Sequence, residues 1–247
     1  MLKRFRADLH IHTCLSPCGS LEMLPTRIVE KAKLEGLDLI GICDHNSSEN
    51  VAAVKKIGER ENLKVLGGME VTSKEEVHIL ALFDEDEDLL ELKRIVYENL
   101  HGVNDEQLFG EQLVANEQDE ILNVNTKLLI GATELSIDKI VEIAHSLRGL
   151  VIASHVDRER FGIIGQLGFI PDELALDALE VSPIFNSGKA ELNFSQAPGF
   201  PLVTFSDAHF LEDIGKGSTT FLIKEPKVYE IKKALLDKDG RKILMKN

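Results

Sequence analysis

The run Phe5-Arg6-Ala7-Asp8-Leu9-His10-Ile11-His12 decides how the rest of the chain is read. It has the make-up of a β-strand and closes on two imidazoles two positions apart, which places both on one face of the strand end. The same event recurs downstream. Asp44-His45 follows an apolar run, Glu70 follows another, and His78, Ser154-His155 and Asp207-Ala208-His209 complete the series. Six of the eight histidines thus fall at the expected C-terminal ends of strands, close to carboxylates. Ionisable rings at strand ends add nothing to an apolar core. They gain a purpose when parallel strands converge on one mouth and the rings face shared ions, since imidazole and carboxylate are the usual ligands of Zn, Mn and Fe.

Working outward, short apolar runs alternate with amphipathic stretches, the pattern of βαβ units and a parallel sheet. Strands are expected over 5–10, 38–43, 64–69, 77–83, 150–154, 178–181, 201–205 and 217–223. Helices are expected over 25–34, where Pro25 opens and Gly36 stops the segment, and over 48–61, 87–100, 136–147 and 226–236. Seven or eight such units in 247 residues suit one barrel better than an open sheet, with the site at the C-terminal strand ends. Residues 101–135 break the rhythm. They show no clear strand and read either as a lid-like insertion or as a surface excursion with one helix over 111–121. The acidic run Asp84 to Asp88 reads as the favourable start of the next helix rather than a calcium site.

Composition narrows the function. Hydrophobic residues make up 43% of the chain, enough for a sizeable core, and no apolar run of membrane-spanning length occurs. The N-terminus lacks the marks of a signal peptide, which points to the cytoplasm and to no membrane partner. Three cysteines do not make a disulfide framework. The net charge of −14 argues against a broad nucleic-acid face, while leaving room for a small phosphorylated substrate held by local cations. No phosphate-binding glycine loop and no nucleophile elbow is present, which argues against an NTP-driven or covalent reaction.

Taken in order, Asp8-Leu9-His10-Ile11-His12-Thr13, Cys43-Asp44-His45-Asn46, Gly68-Met69-Glu70-Val71, Val77-His78, Ala153-Ser154-His155 and Ser206-Asp207-Ala208-His209, with Gly215 beyond, resemble the PHP family, named for polymerase-associated and histidinol-phosphatase domains. The resemblance runs from about residue 5 to residue 215. It implies a distorted (β/α)7 TIM-like barrel, two or three divalent metal ions (Zn, Fe or Mn), and phosphoester hydrolysis. By that resemblance His10, His12, Glu70 and Asp207 would hold a first ion. Glu70, His78 and His155 would hold a second, and His45 and His209 a third. Glu70 and Asp207 would be the carboxylates central to catalysis.

One position departs from the family pattern. Ser16-Pro17-Cys18-Gly19 stands where many members complete the third site with other residues. Cys18, six residues past His12, either supplies a thiolate, which would favour Zn or Fe, or only packs. Asp8 and Asp44 are expected to orient neighbouring imidazoles by accepting their second N–H. Arg158, three residues past His155, is expected to clamp a phosphate, and Arg160 reads as a surface charge. His145 reads as structural and His101 as solvent-exposed. The chain is therefore expected to hydrolyse a small phosphomonoester or nucleotide with metal-activated hydroxide. A nuclease trimming short RNA or DNA ends is the second reading. A non-catalytic metal-binding domain and an amidohydrolase-type enzyme fit the ligand pattern less well. Oligomeric state is not legible.

Overall fold

The structure, a computed structural model, describes residues 1–183 and 199–244. Among these residues the chain builds one curled nine-stranded sheet with helices on its outer face. In chain order the strands are β1 (Lys3–Ile11), β2 (Leu39–Ile42), β3 (Lys64–Thr72), β4 (His78–Phe83), β5 (Leu113–Ala115), β6 (Ile121–Val124), β7 (Leu150–Ala153), β8 (Ala178–Val181), β9 (Leu202–Thr204), β10 (Thr219–Ile223) and β11 (Lys242–Leu244). The helices are α1 (Pro25–Leu34), α2 (Val51–Glu61), α3 (Asp86–Glu98), α4 (Glu106–Phe109), α5 (Ile137–Ser146), α6 (Ile163–Leu167) and α7 (Val228–Leu235). The main sheet runs β11-β10-β1-β2-β3-β4-β7-β8-β9, and a bridge between Ile11 and Ala208 curls the segment after β9 back onto the end of β1.

The strands β2, β4, β7 and β8 are buried along their whole length, which is why they read as continuous apolar runs. Their outward residues, such as Ile40, Ile79, Val151 and Leu179, meet Ile28, Val54, Leu92 and Ile140 of the surrounding helices. Their inward residues, with Leu9, Leu66, Leu80, Leu82 and Ile152, fill the curl, and Val228, Ile231, Ala234 and Leu235 of α7 join that interior cluster.

The architecture is mixed α/β and TIM-like, yet it is not a run of seven βα units. β4 lies antiparallel to both β3 and β7, and β10 lies antiparallel to β1. The reason is connection length. Residues 73–77 close a tight turn in which Ser73 N donates to Val77 O (2.9 Å) and Glu76 sits at φ +59°. A parallel crossover needs a dozen residues or more. His78 is consequently the first residue of its strand, not the last, and the reversal brings it to the same rim as the end of β3.

The segment 101–135 also differs from expectation. It carries α4 and a β5–β6 hairpin where a helix over 111–121 was expected. Asn116 dictates this locally. Its Oδ1 accepts from Gln118 N (2.9 Å) and Glu120 N (3.0 Å), and Asp119 takes φ +62°, so the chain turns back instead of coiling. Among the described residues no helix is long and apolar enough to cross a membrane.

Candidate metal centre

A bulge aims the first two imidazoles. Asp8 pairs with Ile40 and Ile11 with Ile42, so three steps on β1 match two on β2. The alternation inverts there. Ile11 joins Ile40 and Ile42 on the helix-facing side, and His10 and His12 turn into the curl. The remaining residues arrive from strand ends around the rim. His45 follows β2, Glu70 lies near the end of β3, His78 opens β4, His155 follows β7, and Asp207 and His209 follow β9. Four non-glycine residues there take left-handed backbone, Asn46 at φ +48°, His155 at +26°, Phe161 at +60° and Asp207 at +50°. Each costs on the order of 1–3 kcal/mol, a burden characteristic of sites where side-chain placement matters more than stability.

Glu70 is the hub. It is fully buried, with Oε1 3.1 Å from His78 Nδ1, 3.3 Å from His155 Nε2 and 3.4 Å from His10 Nε2. Its Oε2 lies 3.1 Å from His45 Nδ1 and 3.5 Å from His12 Nε2. Asp207 Oδ1 lies 3.2 Å from both His10 Nε2 and His12 Nε2 and 3.6 Å from His209 Nδ1. His10 Nε2 and His12 Nε2 are 3.1 Å apart. Burial alone would raise the Glu70 carboxyl, but the facing rings of His78 and His10 hold it well below the usual carboxylate range. Asp207 is held low against its own burial by His10 and His12 in the same way. Burial pushes His78 down to about 4, and burial together with His209 pushes His12 well below the ordinary imidazole value.

Among the described residues, three groups of side chains are close enough to share an ion: His10, His12, Glu70 and Asp207; His45, Glu70 and His78; and His12, His45 and His209. Cys18, exposed at the rim, has Sγ 3.2 Å from His45 Nε2. Its partial burial works upward on the thiol, but His45 and His209 outweigh it and bring it down to about 6. The donor set fits divalent cations on a further ground. Both Glu70 oxygens, Asp207 Oδ1, and Nδ1 of His45 and His78 are buried without a hydrogen-bonded partner, while His155 faces Glu70 through Nε2 and falls in none of the three groups. Buried polar atoms in native proteins are nearly always satisfied, so a concentration of orphans facing one another calls for a cation between them.

The surrounding carboxylates are not arranged as the sequence implied. Asp8 does not hold His10. Its Oδ1 accepts from Ser206 N and its Oδ2 from Gly215 N, both at 2.9 Å, and burial raises it to about 6. Asp8 instead ties β1 to the loop that carries Asp207, because the bulge separates its direction from that of His10. The partner of His10 is Glu180 on β8, whose two oxygens lie 3.1 and 2.9 Å from His10 Nδ1 in full burial. The one available signal for Glu180 was a carboxylate inside the otherwise apolar run 178–181. Asp44 acts through a hydroxyl. It accepts from Ser16 Oγ (2.7 Å) and from Thr13 N and Oγ1 (2.7 and 2.8 Å), and Ser16 Oγ meets His12 Nδ1 at 2.9 Å.

Arg158 does reach the site, but its Nη1 is engaged by Asp207 Oδ2 at 2.5 Å and its Nε donates to Ser182 Oγ at 3.3 Å. Arg160 lines the same cavity and makes no ion pair among the described residues. His145 lies outside the site, bound to Asp177 Oδ2 at 3.1 Å, and His101 is exposed beside Glu134.

Known proteins place this arrangement in a class. A family model described as the PHP domain matches residues 8–169. The chain belongs to the PHP family. Metal-dependent phosphoesterases and related hydrolases make up the class to which this PHP domain belongs. Among curated proteins it is similar to the phosphoribosyl 1,2-cyclic phosphate 1,2-diphosphodiesterase of Eggerthella lenta, 31% identical over 80 residues, 30% of this chain and 29% of that one. Among solved structures it resembles the lesion-specific endonuclease Q of Pyrococcus furiosus (TM-score 0.75, 22% identity, 98% of this chain and 58% of that one). A metal-dependent phosphoesterase assignment attaches to a similar Bifidobacterium adolescentis structure (TM-score 0.55, 21% identity, 82% of this chain and 87% of that one). The chain thus spans less than a third of the curated relative's length and about three fifths of the endonuclease's.

Proposed function

We propose that this PHP domain is a metal-dependent phosphoesterase acting on a small phosphorylated substrate, a phosphomonoester or nucleotide. The observation that carries the reading is the set of unpartnered buried atoms on Glu70, Asp207, His45 and His78, which converge at the floor of an open cavity of about 270 Å3. His10, His12, Glu70 and Asp207 would hold one ion. Glu70, His78 and His155 would hold a second, with His45 in reach of the same carboxylate. His45 and His209, with Cys18 beside them, would hold a third. Bound divalent ions such as Zn, Fe or Mn supply a water whose pKa falls from about 15.7 to roughly 7, together with positive charge for the phosphoryl oxygens.

The chain's own residues set the conditions for that chemistry. Glu70 stays ionised and faces five imidazoles at once, so one carboxylate is placed to share ions with several of them. Glu180 accepts the Nδ1–H of His10, which leaves Nε2 to face the centre. Arg158 fixes the second oxygen of Asp207, so that Oδ1 alone turns to His10 and His12. Phe161 and Ile130 cover part of the cavity wall, and the arginines bring positive charge to its rim.

A second reading, hydrolysis of a phosphodiester at a short RNA or DNA end, is supported by the diphosphodiesterase activity named for the Eggerthella relative and by the open side of the cavity. One experiment separates the two. The purified protein is analysed for metals and assayed on p-nitrophenyl phosphate, glycerol phosphate, bis(p-nitrophenyl) phosphate and a dinucleotide. We expect at least two ions per chain, monoester turnover, and loss of both on chelation. Turnover confined to the diesters, falling steeply with salt, would favour the second reading. Protein that takes up no Zn, Fe or Mn and hydrolyses none of the four would overturn both.

A further inference from the structure

Every side chain lining the cavity among the described residues is ionisable except two, Ile130 and Phe161. Ile130 belongs to the segment after β6 and is held there from both sides. Asn46 Nδ2 donates to the carbonyls of Leu129 and Gly131, each at 2.8 Å. Leu129 N donates to Gln112 Oε1 at 3.2 Å, and the Leu129 side chain is fully buried with Leu15 and Leu100. Asn46 is itself locked to the strand that carries Glu70: its N–H donates to Glu70 O (2.9 Å), and its Oδ1 accepts from Thr72 N (3.0 Å). The segment is therefore a fixed part of the site wall, not a lid on a hinge. Phe161 is fixed as firmly. Its ring stacks on His78 at 4.5 Å and 11°, and its carbonyl accepts the His78 N–H at 2.9 Å.

We infer that Ile130 and Phe161 form a rigid apolar wall that selects the organic part of the substrate, favouring a ring or other apolar surface next to the phosphoester. The inference rests on the phosphoesterase reading for its biological meaning, and its chemistry follows from the wall alone. A site that recognised phosphate only would have no use for two preorganised apolar side chains beside the ions. Side chains already immobilised lose little freedom on binding, so the contact they offer goes directly into affinity. Small-molecule sites commonly pair an apolar surface with a few placed polar groups, and here the two lie side by side.

The test uses two phosphonates that cannot be hydrolysed, benzylphosphonate and methylphosphonate, titrated calorimetrically into metal-loaded protein. Wild type is expected to bind the benzyl compound about tenfold more tightly, the scale of discrimination offered by a few apolar contacts. Ile130→Ala is expected to bring the two within about twofold while leaving methylphosphonate binding unchanged. Leu122→Ala, exposed on β6 ahead of that segment, should retain the wild-type ratio. Equal binding of both compounds by wild type would overturn the wall, as would a ratio untouched by Ile130→Ala or a parallel loss of both. If the benzyl preference is present but no phosphoester is turned over, the wall stands and the phosphoesterase reading falls.

Discussion

Glu180 offers a sharp test of the centre because its carboxylate faces one ring of the cluster, His10, and otherwise accepts from the His155 backbone N–H at 3.4 Å, a contact that the retained oxygen of a Gln can keep. Glu180→Gln keeps the shape of the side chain and one acceptor oxygen, but removes the charge that faces His10 Nδ1 at 2.9 and 3.1 Å. In the metal-free protein burial works to lower the His10 pKa, and Glu180, ahead of Asp207 and Glu70, reverses that and raises it well above the ordinary value. With an ion at Nε2 the same carboxylate makes the ring a stronger donor. Partners of this kind are worth roughly 10–100-fold in metal affinity or activity, about 1.4–2.7 kcal/mol. Both oxygens lie within hydrogen-bond range and neither is solvated, so we expect the upper half of that range. The assay is competition against a chromophoric chelator, which resolves successive ions, with turnover measured at saturating metal. The first ion should bind about 30–100-fold more weakly in the variant, with the others little changed. A matched Asp8→Asn variant should leave that affinity within a few-fold of wild type, because the hydrogen bonds of Asp8 go to Ser206 and Gly215 and not to the His10 ring. If Glu180→Gln binds all its ions as wild type does, or if Asp8→Asn produces the larger loss, the assignment of His10's partner is wrong.

The same contacts lead to other outcomes. Glu70→Gln should abolish turnover and reduce the metal content by at least one ion per chain, read by elemental analysis, since its carboxylate approaches five imidazoles. Cys18→Ala should remove one ion and leave the others, and an unchanged count would take Cys18 off the ligand set. Gly217→Ala should lower the melting temperature steeply, because a Cβ there would lie 2.0 Å from Phe205 O and 2.3 Å from Phe205 C, backbone atoms that cannot yield locally. Asp177 is held below the usual carboxylate range: burial works upward, but His145, the Val151 N–H and Lys232 outweigh it. A depressed folded pKa gives stability that is present above the unfolded value of about 3.9 and lost as pH falls through the folded one. Asp177→Asn should therefore lower urea stability at pH 7, and the gap to wild type should narrow below about pH 4; a gap that widened in acid would contradict the sign.

What the sequence disclosed depended on which physical quantity its pattern encodes. The pairing of apolar runs with strand-end ligands is local, so β1, β2, β7 and β8 and the helix Pro25–Leu34 were legible to within a residue or two. Strand direction is not encoded in burial. A strand buried on both faces, such as His78–Phe83, looks the same read either way, and its reversal shows only in the five-residue link 73–77, too short for a crossover. The hairpin in 101–135 was hidden for a related reason: Leu113–Ala115 and Ile121–Val124 are too short to display a period, and turn chemistry at Asn116, not hydrophobic pattern, decides their path.

The site taught a more specific lesson about neighbours in sequence and neighbours in space. Asp8 stands two residues before His10, and on an unbroken strand it would share that residue's face. The bulge between Asp8 and Ile11 removes it, and a carboxylate 170 positions later takes its place at Nδ1. Arg158 shows the converse. Its spacing from His155 pointed to a free phosphate clamp, yet the fold commits it to Asp207, and Arg160 is the rim cation without an ion pair among the described residues. This predicts a division that kinetics can read. Arg158→Gln should act through Asp207 and lower metal affinity and kcat together. Arg160→Gln should raise KM for a phosphomonoester by several-fold and leave metal affinity alone, the loss of one charged hydrogen bond being worth about 1.5–3 kcal/mol at most on an exposed rim. Identical profiles for the two variants would mean that the Arg158–Asp207 contact does not order the centre, and that both arginines face the substrate alike.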